Sequence, residues 1–302
     1  MKYLAIDVGG TFVKHALITD TGIQNGGREK TITKSLAEFE EQLLTIIQYY
    51  QKETVEGIGF SVPGKVDSKT GILYHGGALP FLHHYSLIKQ ISKKVTIPIK
   101  VENDAKAACL AEWNWGNLRD TTSGLILVLG TALGAGIISQ GKLLTGPHQQ
   151  AGEISYQILD RSLISENSFA GNQGSSVQLI KRLRDVLSEE KKSDSDLFTM
   201  IEGNSAAKSV LQEYCNDLAK IIFNTHVLLD LEKIVIGGGI SHQTIVLDYL
   251  IAAFTRLYGS VESIQQTFEV PAIETAHFLS EANLYGSILP LLSEKEIKNV
   301  MF

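Results

Sequence analysis

The sequence predicts an α/β protein made of two duplicated halves, and three observations carry that prediction. Strand-like and helix-like segments alternate along most of the chain, as in α/β proteins and unlike sandwiches or helical bundles. A buried strand, a Gly-Thr turn and a returning strand occur at residues 2–19 and again at 124–139. The copies superpose with an offset of 120, which places Thr131 on Thr11 and Ile137-Ile138 on Leu17-Ile18. One supersecondary unit repeated once per half implies duplicated halves facing each other across a cleft.

Residues 2–8 read as a buried strand, Gly9-Gly10-Thr11 as a turn and 12–19 as the returning strand, closed by a turn near Asp20-Thr21-Gly22. A helix is expected over 35–51. Ser35 and Glu38 have the spacing of a capping box, and Leu36, Phe39, Leu43, Ile46, Ile47 and Tyr50 share one face. Strand 57–62 runs into Pro63-Gly64, turn residues Asp67 to Gly71 follow, and strand 97–101 leads into a helix that Asp104 could cap. The first domain is placed at 1–115. The second, 116–283, opens with the 124–139 hairpin. It continues with helices at 175–188, 205–229 and 243–258, a solvated charged run from Glu189 to Asp196, a strand at 233–236 and another near 272–276. A last helix at 281–293 closes the fold, and the C-terminal segment, about 284–302, is expected to pack back on the first domain.

Composition excludes several classes. With 302 residues, 44% hydrophobic and 20% charged, the chain is globular rather than disordered. The 27 basic residues against 33 acidic ones, a net charge of −6, argue against neutralising nucleic-acid phosphates, so no nucleic-acid partner is expected. No apolar run reaches the ~18 residues of a membrane helix, and Asp7 cuts the N-terminal run before a signal-peptide core can form. The protein is expected to be soluble, cytoplasmic and free of membrane association. Cys109 and Cys215 form no CxxC pair and the eight histidines are scattered, so no structural zinc is predicted.

The chemistry is concentrated in glycine turns and carboxylates. Asp7 ends a buried strand and is followed by two glycines and a hydroxyl, which puts bare amides beside an acid. Beside phosphates that acid is tolerable only through Mg²⁺ or water. A hairpin whose Asp accepts turn hydrogen bonds is the competing explanation, and the Walker A pattern is absent. Gly130-Thr131-Ala132-Leu133-Gly134 offers a second set of amides, unless its glycines merely serve positive φ. Gly237-Gly238-Gly239 joins a strand to a helix where a nucleoside could lie on bare backbone, although tight helix packing explains it equally well. In Glu102-Asn103-Asp104, Asn103 can donate and accept to one hydroxyl of a polyol while Asp104 takes the proton of another; a helix cap competes. Glu153 is a further acceptor or an exposed helix-start acid.

Together, Asp7-x-Gly9-Gly10-Thr11-x-x-Lys14, Pro63-Gly64, Glu102-Asn103-Asp104, Leu129-Gly-Thr-x-Leu-Gly-x-Gly136, Gly152-Glu153 and Gly237-Gly-Gly239 resemble the ROK family (repressors, open reading frames, kinases) in order and spacing, over essentially the whole chain. That family belongs to the actin-like, hexokinase-type ATPase superfamily. The resemblance implies two actin-like (ribonuclease H-like) domains with a cleft, ATP and Mg²⁺, phosphorylation of a sugar, usually at its 6-hydroxyl, and a homodimer. It assigns Asp104 as the general base and a sugar contact, with Asn103 and Glu153 as sugar ligands alongside Gly64, Gly77 and Tyr156. Gly9, Gly10, Thr11, Lys14, Thr131 and Gly134 become phosphate-side positions, Asp7 the Mg²⁺-side acid, and Gly238 and Gly239 nucleoside contacts.

Three departures refine the resemblance. Tyr156 stands where many family members carry a zinc-binding histidine, and Ser165 to Ser176 holds no cysteine, so that zinc site is not expected. Ala132 replaces a usual glycine, which would cost ~1–2 kcal/mol if positive φ were required there. Tyr156 offers a flat face for a second sugar ring. It and the stretches Gly76-Gly77-Ala78 and Ala151 to Tyr156 are similar to zinc-less β-glucoside kinases, which phosphorylate cellobiose-type disaccharides at the 6-hydroxyl of the non-reducing glucose. Glucokinase, fructokinase, N-acetylmannosamine kinase and a non-catalytic sugar sensor are the alternatives. A repressor is not expected, because Asp7 lies too near the first residue to leave room for a DNA-reading helix-turn-helix.

Overall fold

The computed structural model describes residues 1–160 and 168–300. The chain divides into two compact units, one holding residues 1–116, 145–151 and the segment from 281 onward, the other residues 117–144 and 152–280. Residues 301–302 of the expected C-terminal segment and 165–167 of the cysteine-free stretch lie outside the described residues.

The first unit is built on strands β1 (Lys2–Val8), β2 (Phe12–Thr19), β3 (Gly22–Lys30), β4 (Ile58–Val62), β5 (Lys65–Asp67), β6 (Ile72–His75), β7 (Tyr85–Ser86) and β8 (Ile99–Asn103). Five form a sheet in the order β3-β2-β1-β4-β8, and β5-β6-β7 form a small second sheet. β2 is antiparallel to β1, whereas β4 and β8 run parallel to it. β1 and β4 are buried on both faces apart from Lys2, as expected for strands covered by helices. Helix α1 (Leu36–Tyr49) supplies one cover. Ser35 Oγ accepts the Glu38 N–H, and Phe39, Leu43, Ile46 and Ile47 are buried at helical spacing, each such side chain contributing roughly 1.5–3 kcal/mol of burial. Two further helices follow, α2 (Leu87–Ile91) and α3 (Asp104–Asn114).

The second unit begins with β9 (Gly124–Leu129), β10 (Leu133–Ser139) and β11 (Lys142–Leu143). It then runs through helices α4 (Ala170–Gln173), α5 (Ser176–Leu187), α6 (Asp194–Met200) and α7 (Ser205–Leu229) to β12 (Lys233–Gly238), α8 (Thr244–Tyr258), α9 (Glu262–Thr267) and β13 (Ala272–Thr275). Its sheet order, β11-β10-β9-β12-β13, repeats the first strand for strand, with antiparallel β9 and β10 and parallel β12 and β13. On α7, Leu211, Tyr214, Leu218, Ile221 and Ile222 form a buried stripe within the unit's core. The chain ends with α10 (Ala282–Ile288) and α11 (Glu294–Asn299), which belong to the first unit.

Several expectations need correction. The first hairpin continues into β3, whose sequence Gly-Ile-Gln-Asn-Gly-Gly-Arg-Glu-Lys has no apolar alternation because it is a largely exposed edge strand. The helix expected at 281–293 stops at Ile288, followed by a 3-10 turn containing Pro290, whose missing N–H cannot continue the ladder. The charged run is exposed, but from Asp194 it already forms α6, capped by Ser193; Arg184 gathers the Glu189, Glu190 and Lys192 carbonyls beneath it. The cap of α3 is Asn103, whose Oδ1 accepts the Lys106 N–H at 3.1 Å, and Asp104 is the first helical residue.

The hairpin superposition also needs one adjustment. Val8 pairs with Val13 across the first turn but Leu129 with Leu133 across the second, so the second turn is one residue shorter. The offset of 120 holds for the returning strand and becomes 121 for the first. None of Gly9, Gly10, Gly130 and Ala132 has positive φ, so Ala132 carries no left-handed strain.

Candidate active site

A row of side chains crosses the first sheet near the carboxyl ends of its parallel strands. The register places Lys14 opposite Asp7, Asp7 beside Ser61, and Ser61 beside Glu102. The ends of parallel strands are where open α/β sheets place their ligands. Asp7 is only 6% exposed, and its Oδ1 accepts hydrogen bonds from Ser61 Oγ at 2.8 Å and from Asn283 Nδ2 at 3.1 Å. Burial pushes the Asp7 carboxyl above its ordinary value, opposed by the Lys14 charge and these two hydrogen bonds. Among the described residues no three His, Cys, Asp or Glu side chains group to hold a metal.

The turn after β1 is tied down by its backbone. Gly9 N–H donates to Phe12 O, Thr31 Oγ1 donates to Gly9 O, and Thr31 N–H donates to Thr11 O. Gly10 and Thr11 are exposed at the tip. A Cβ on Gly9 would lie 2.9 Å from Phe12 O, and one on Gly10 2.8 Å from the Ala78 methyl. Close approach, rather than a special φ, therefore requires glycine at both positions.

Gly64, Gly77, Asn103 and Asp104 form one connected group. Gly64 (φ +84°) and Gly77 (φ +56°) take left-handed backbone, and a Cβ on Gly64 would overlap the His75 carbonyl. Asn103 Nδ2 donates to Gly64 O at 2.9 Å and to Asp104 Oδ1 at 3.1 Å, and Asp104 Oδ1 also accepts the Ala105 N–H at 2.8 Å. Asn103 thus has both amide atoms engaged. Its Nδ2 thereby ties the Gly64 turn to the Asp104 carboxylate. Behind it, Glu102 Oε1 accepts the Asn103 N–H, and burial raises the Glu102 carboxyl. The buried Lys106 reaches Gln149 O at 2.9 Å.

In the second unit, Gly130, Thr131 and Gly239 line a cavity of about 280 Å³ together with Ser176, Ile180, Ser195, Phe198 and His242. Gly238 (φ +94°) pairs with Leu129, and a Cβ there would overlap the Leu129 carbonyl; Gly239 N–H donates to that carbonyl, while its own Cβ position is open. The turn carbonyls are held by hydroxyls, Ser175 Oγ on Thr131 O and Ser176 Oγ on Gly130 O. Gly134 lies in β10 and does not line this cavity. Glu153 precedes and Tyr156 ends a short 3-10 turn whose Ser155 hydroxyl donates to Leu133 O. Glu153 is half-buried, and Tyr156 is 65% exposed with Phe169 edge-on to it. Ser61, Asn283 and the cavity residues beyond the turns belong to none of the short motifs; of these, only Ser176, opening a helix just past the Ser175 cap, carries a local signal.

The sequence profile of the ROK family matches residues 3–292. The chain belongs to the ROK family. A β-glucoside kinase of Listeria monocytogenes is 29% identical over 307 residues, covering 98% of this chain and 99% of the relative. A glucokinase of Halalkalibacterium halodurans is 29% identical over 274 residues, 79% of this chain and 80% of the relative. Among solved structures, a ROK family protein from Streptococcus pneumoniae in complex with sucrose has a TM-score of 0.81 at 24% identity, covering 98% of this chain and 99% of that one. A ROK family glucokinase from Streptomyces griseus in complex with glucose and AMPPNP also has a TM-score of 0.81, at 20% identity and 95% and 98% coverage. The repeated five-stranded sheets are accordingly those of the two actin-like (ribonuclease H-like) domains of ROK proteins. No helix among the described residues is long and apolar enough to cross a membrane.

Proposed function

We propose that this ROK protein is a cytoplasmic, homodimeric, ATP-dependent sugar kinase that phosphorylates the 6-hydroxyl of a hexose unit in a β-glucoside or similar disaccharide. The observation that carries the reading is the group Gly64-Asn103-Asp104, in which an amide with both ends engaged holds a carboxylate at the head of a helix. Asp104 takes the proton of the attacking hydroxyl as its oxygen bonds to the γ-phosphorus and the bond to the ADP leaving oxygen breaks. Phosphoryl transfer asks mainly for alignment and charge stabilisation, and a placed base adds about 10²–10⁴-fold. Asn103, whose Oδ1 can accept a second donor, and Glu153 serve as sugar-hydroxyl ligands, with Gly64 and Gly77 shaping the sugar side.

The nucleotide's phosphates would engage Gly9, Gly10, Thr11, Lys14 and Thr131, and its nucleoside Gly238, Gly239 and the second unit's cavity. Gly134, paired with Val128 in β10, is a further phosphate-side position. Mg²⁺ suits Asp7, a hard carboxylate whose Oδ2 takes neither of the two donors that meet Oδ1. When bound, the ion neutralises developing phosphate charge.

The exposed Tyr156 ring supports the disaccharide preference, as does the name of the Listeria relative. The test is turnover of MgATP with glucose, N-acetylated hexosamines, fructose, cellobiose, gentiobiose and sucrose. A β-linked disaccharide should be the fastest substrate; free glucose or N-acetylmannosamine far ahead of every disaccharide would overturn the preference. Tyr156→Ala should raise KM for the disaccharide more than for glucose, and equal losses would remove the ring from specificity.

A further inference from the structure

Asp7 is oriented from outside its own motif. Its Oδ1 receives Ser61 Oγ, 54 residues along the chain, and Asn283 Nδ2, 276 residues along. Two donors on one oxygen fix the rotation of a carboxylate far more tightly than one, and they leave Oδ2 as the oxygen that takes neither.

Asn283 can do this because α10 is pressed into the unit's interior. A Cβ on Gly286 would overlap the Ala107 carbonyl of α3, and one on Gly59 of β4 would overlap the Ser287 carbonyl of α10. These bare backbones let α10 lie directly on both α3 and β4, with Ser287 and Ile288 fully buried. The helix that holds Asp7 is thus also packed against the helix that Asp104 begins.

We infer that Asn283, together with Ser61, is a positioning residue that aims Asp7 Oδ2 at the metal accompanying the nucleotide. The inference rests on the kinase reading above. It predicts that losing either donor damages the metal-dependent part of nucleotide binding and spares the rest, because neither side chain belongs to the turns assigned to the phosphates.

The test is calorimetric binding of a non-hydrolysable ATP analogue, once with Mg²⁺ and once with EDTA, to wild type, Asn283→Ala and Ser61→Ala, with thermal melting as a check on folding. In wild type Mg²⁺ should tighten binding. In Asn283→Ala that tightening should shrink by about tenfold or more, the scale of a lost hydrogen bond to a charged group, while affinity in EDTA changes less than about twofold. Ser61→Ala removes one buried oxygen and should act in the same direction even if the Asn283 variant does not fold. A metal effect kept at its wild-type size in either folded variant, or equal losses with and without Mg²⁺, overturns the inference. Wild type binding the analogue no better with Mg²⁺ than without would instead count against the kinase reading itself.

Discussion

The two glycine turns occupy the same place in the same kind of sheet yet carry different chemistry. In the first, Asp7 faces Lys14 across the strand pair; in the second, the corresponding residues are Val128 and Gly134. Both turns have their carbonyls tied back by hydroxyls, Thr31 in one and Ser175 and Ser176 in the other. The second is one residue shorter and opens on the cavity lined by Thr131, Ser176 and Gly239. The two units share the strand order and the turn, and the charged pair stands on one of them. In the proposed kinase this leaves the first unit to manage proton and metal and the second to hold the nucleoside.

Making the first turn resemble the second is the most severe way to break this division. Asp7→Val, the residue type found at Val128, should lower kcat by about 10²–10³-fold, the range seen when one charge-stabilising group is removed. Nucleotide affinity in EDTA should stay near wild type. A variant that keeps normal turnover would mean the two turns are chemically equivalent.

Filling the second unit's cavity sharpens the contrast from the other side. The Cβ position of Gly239 is open, so Gly239→Leu should fold and raise the nucleotide KM about tenfold or more, with kcat at saturation changed little. A loss confined to the sugar KM would show the cavity to be misassigned. The smallest effect belongs to Ala132→Gly. Because Ala132 has no positive φ to relieve, this change should leave the nucleotide KM within about twofold and lower stability by no more than about 1 kcal/mol. A clear gain in nucleotide affinity would reinstate strain as the explanation.

The sequence announced what depends on near neighbours. β1, β2, β9 and β10 stood out because their apolar runs break at Gly-Thr turns, and α1 because Ser35 caps a clear apolar stripe. Edge strand β3 was hidden by its exposure, and the stop of α10 by an apolar pattern that continues through Pro290. At the site, Asp7, Asn103 and Asp104 were legible as short motifs. What holds them was not, since Asn283 meets Asp7, and the Asn103 amide meets Gly64 39 residues earlier, only through folding. Which of Asn103 and Asp104 caps α3 depends on a one-residue difference in where the strand ends, which pattern alone does not set.

The most direct test of the account is the rate of Asp104→Asn with MgATP and a β-linked disaccharide, read by ADP release, with sugar affinity measured in parallel by calorimetry. An amide can keep the hydrogen bond from Ala105 but cannot accept the substrate proton, so kcat should fall about 10²–10⁴-fold while sugar affinity and melting temperature hold. A near-normal kcat would contradict the account, because the proton would then be leaving by another route.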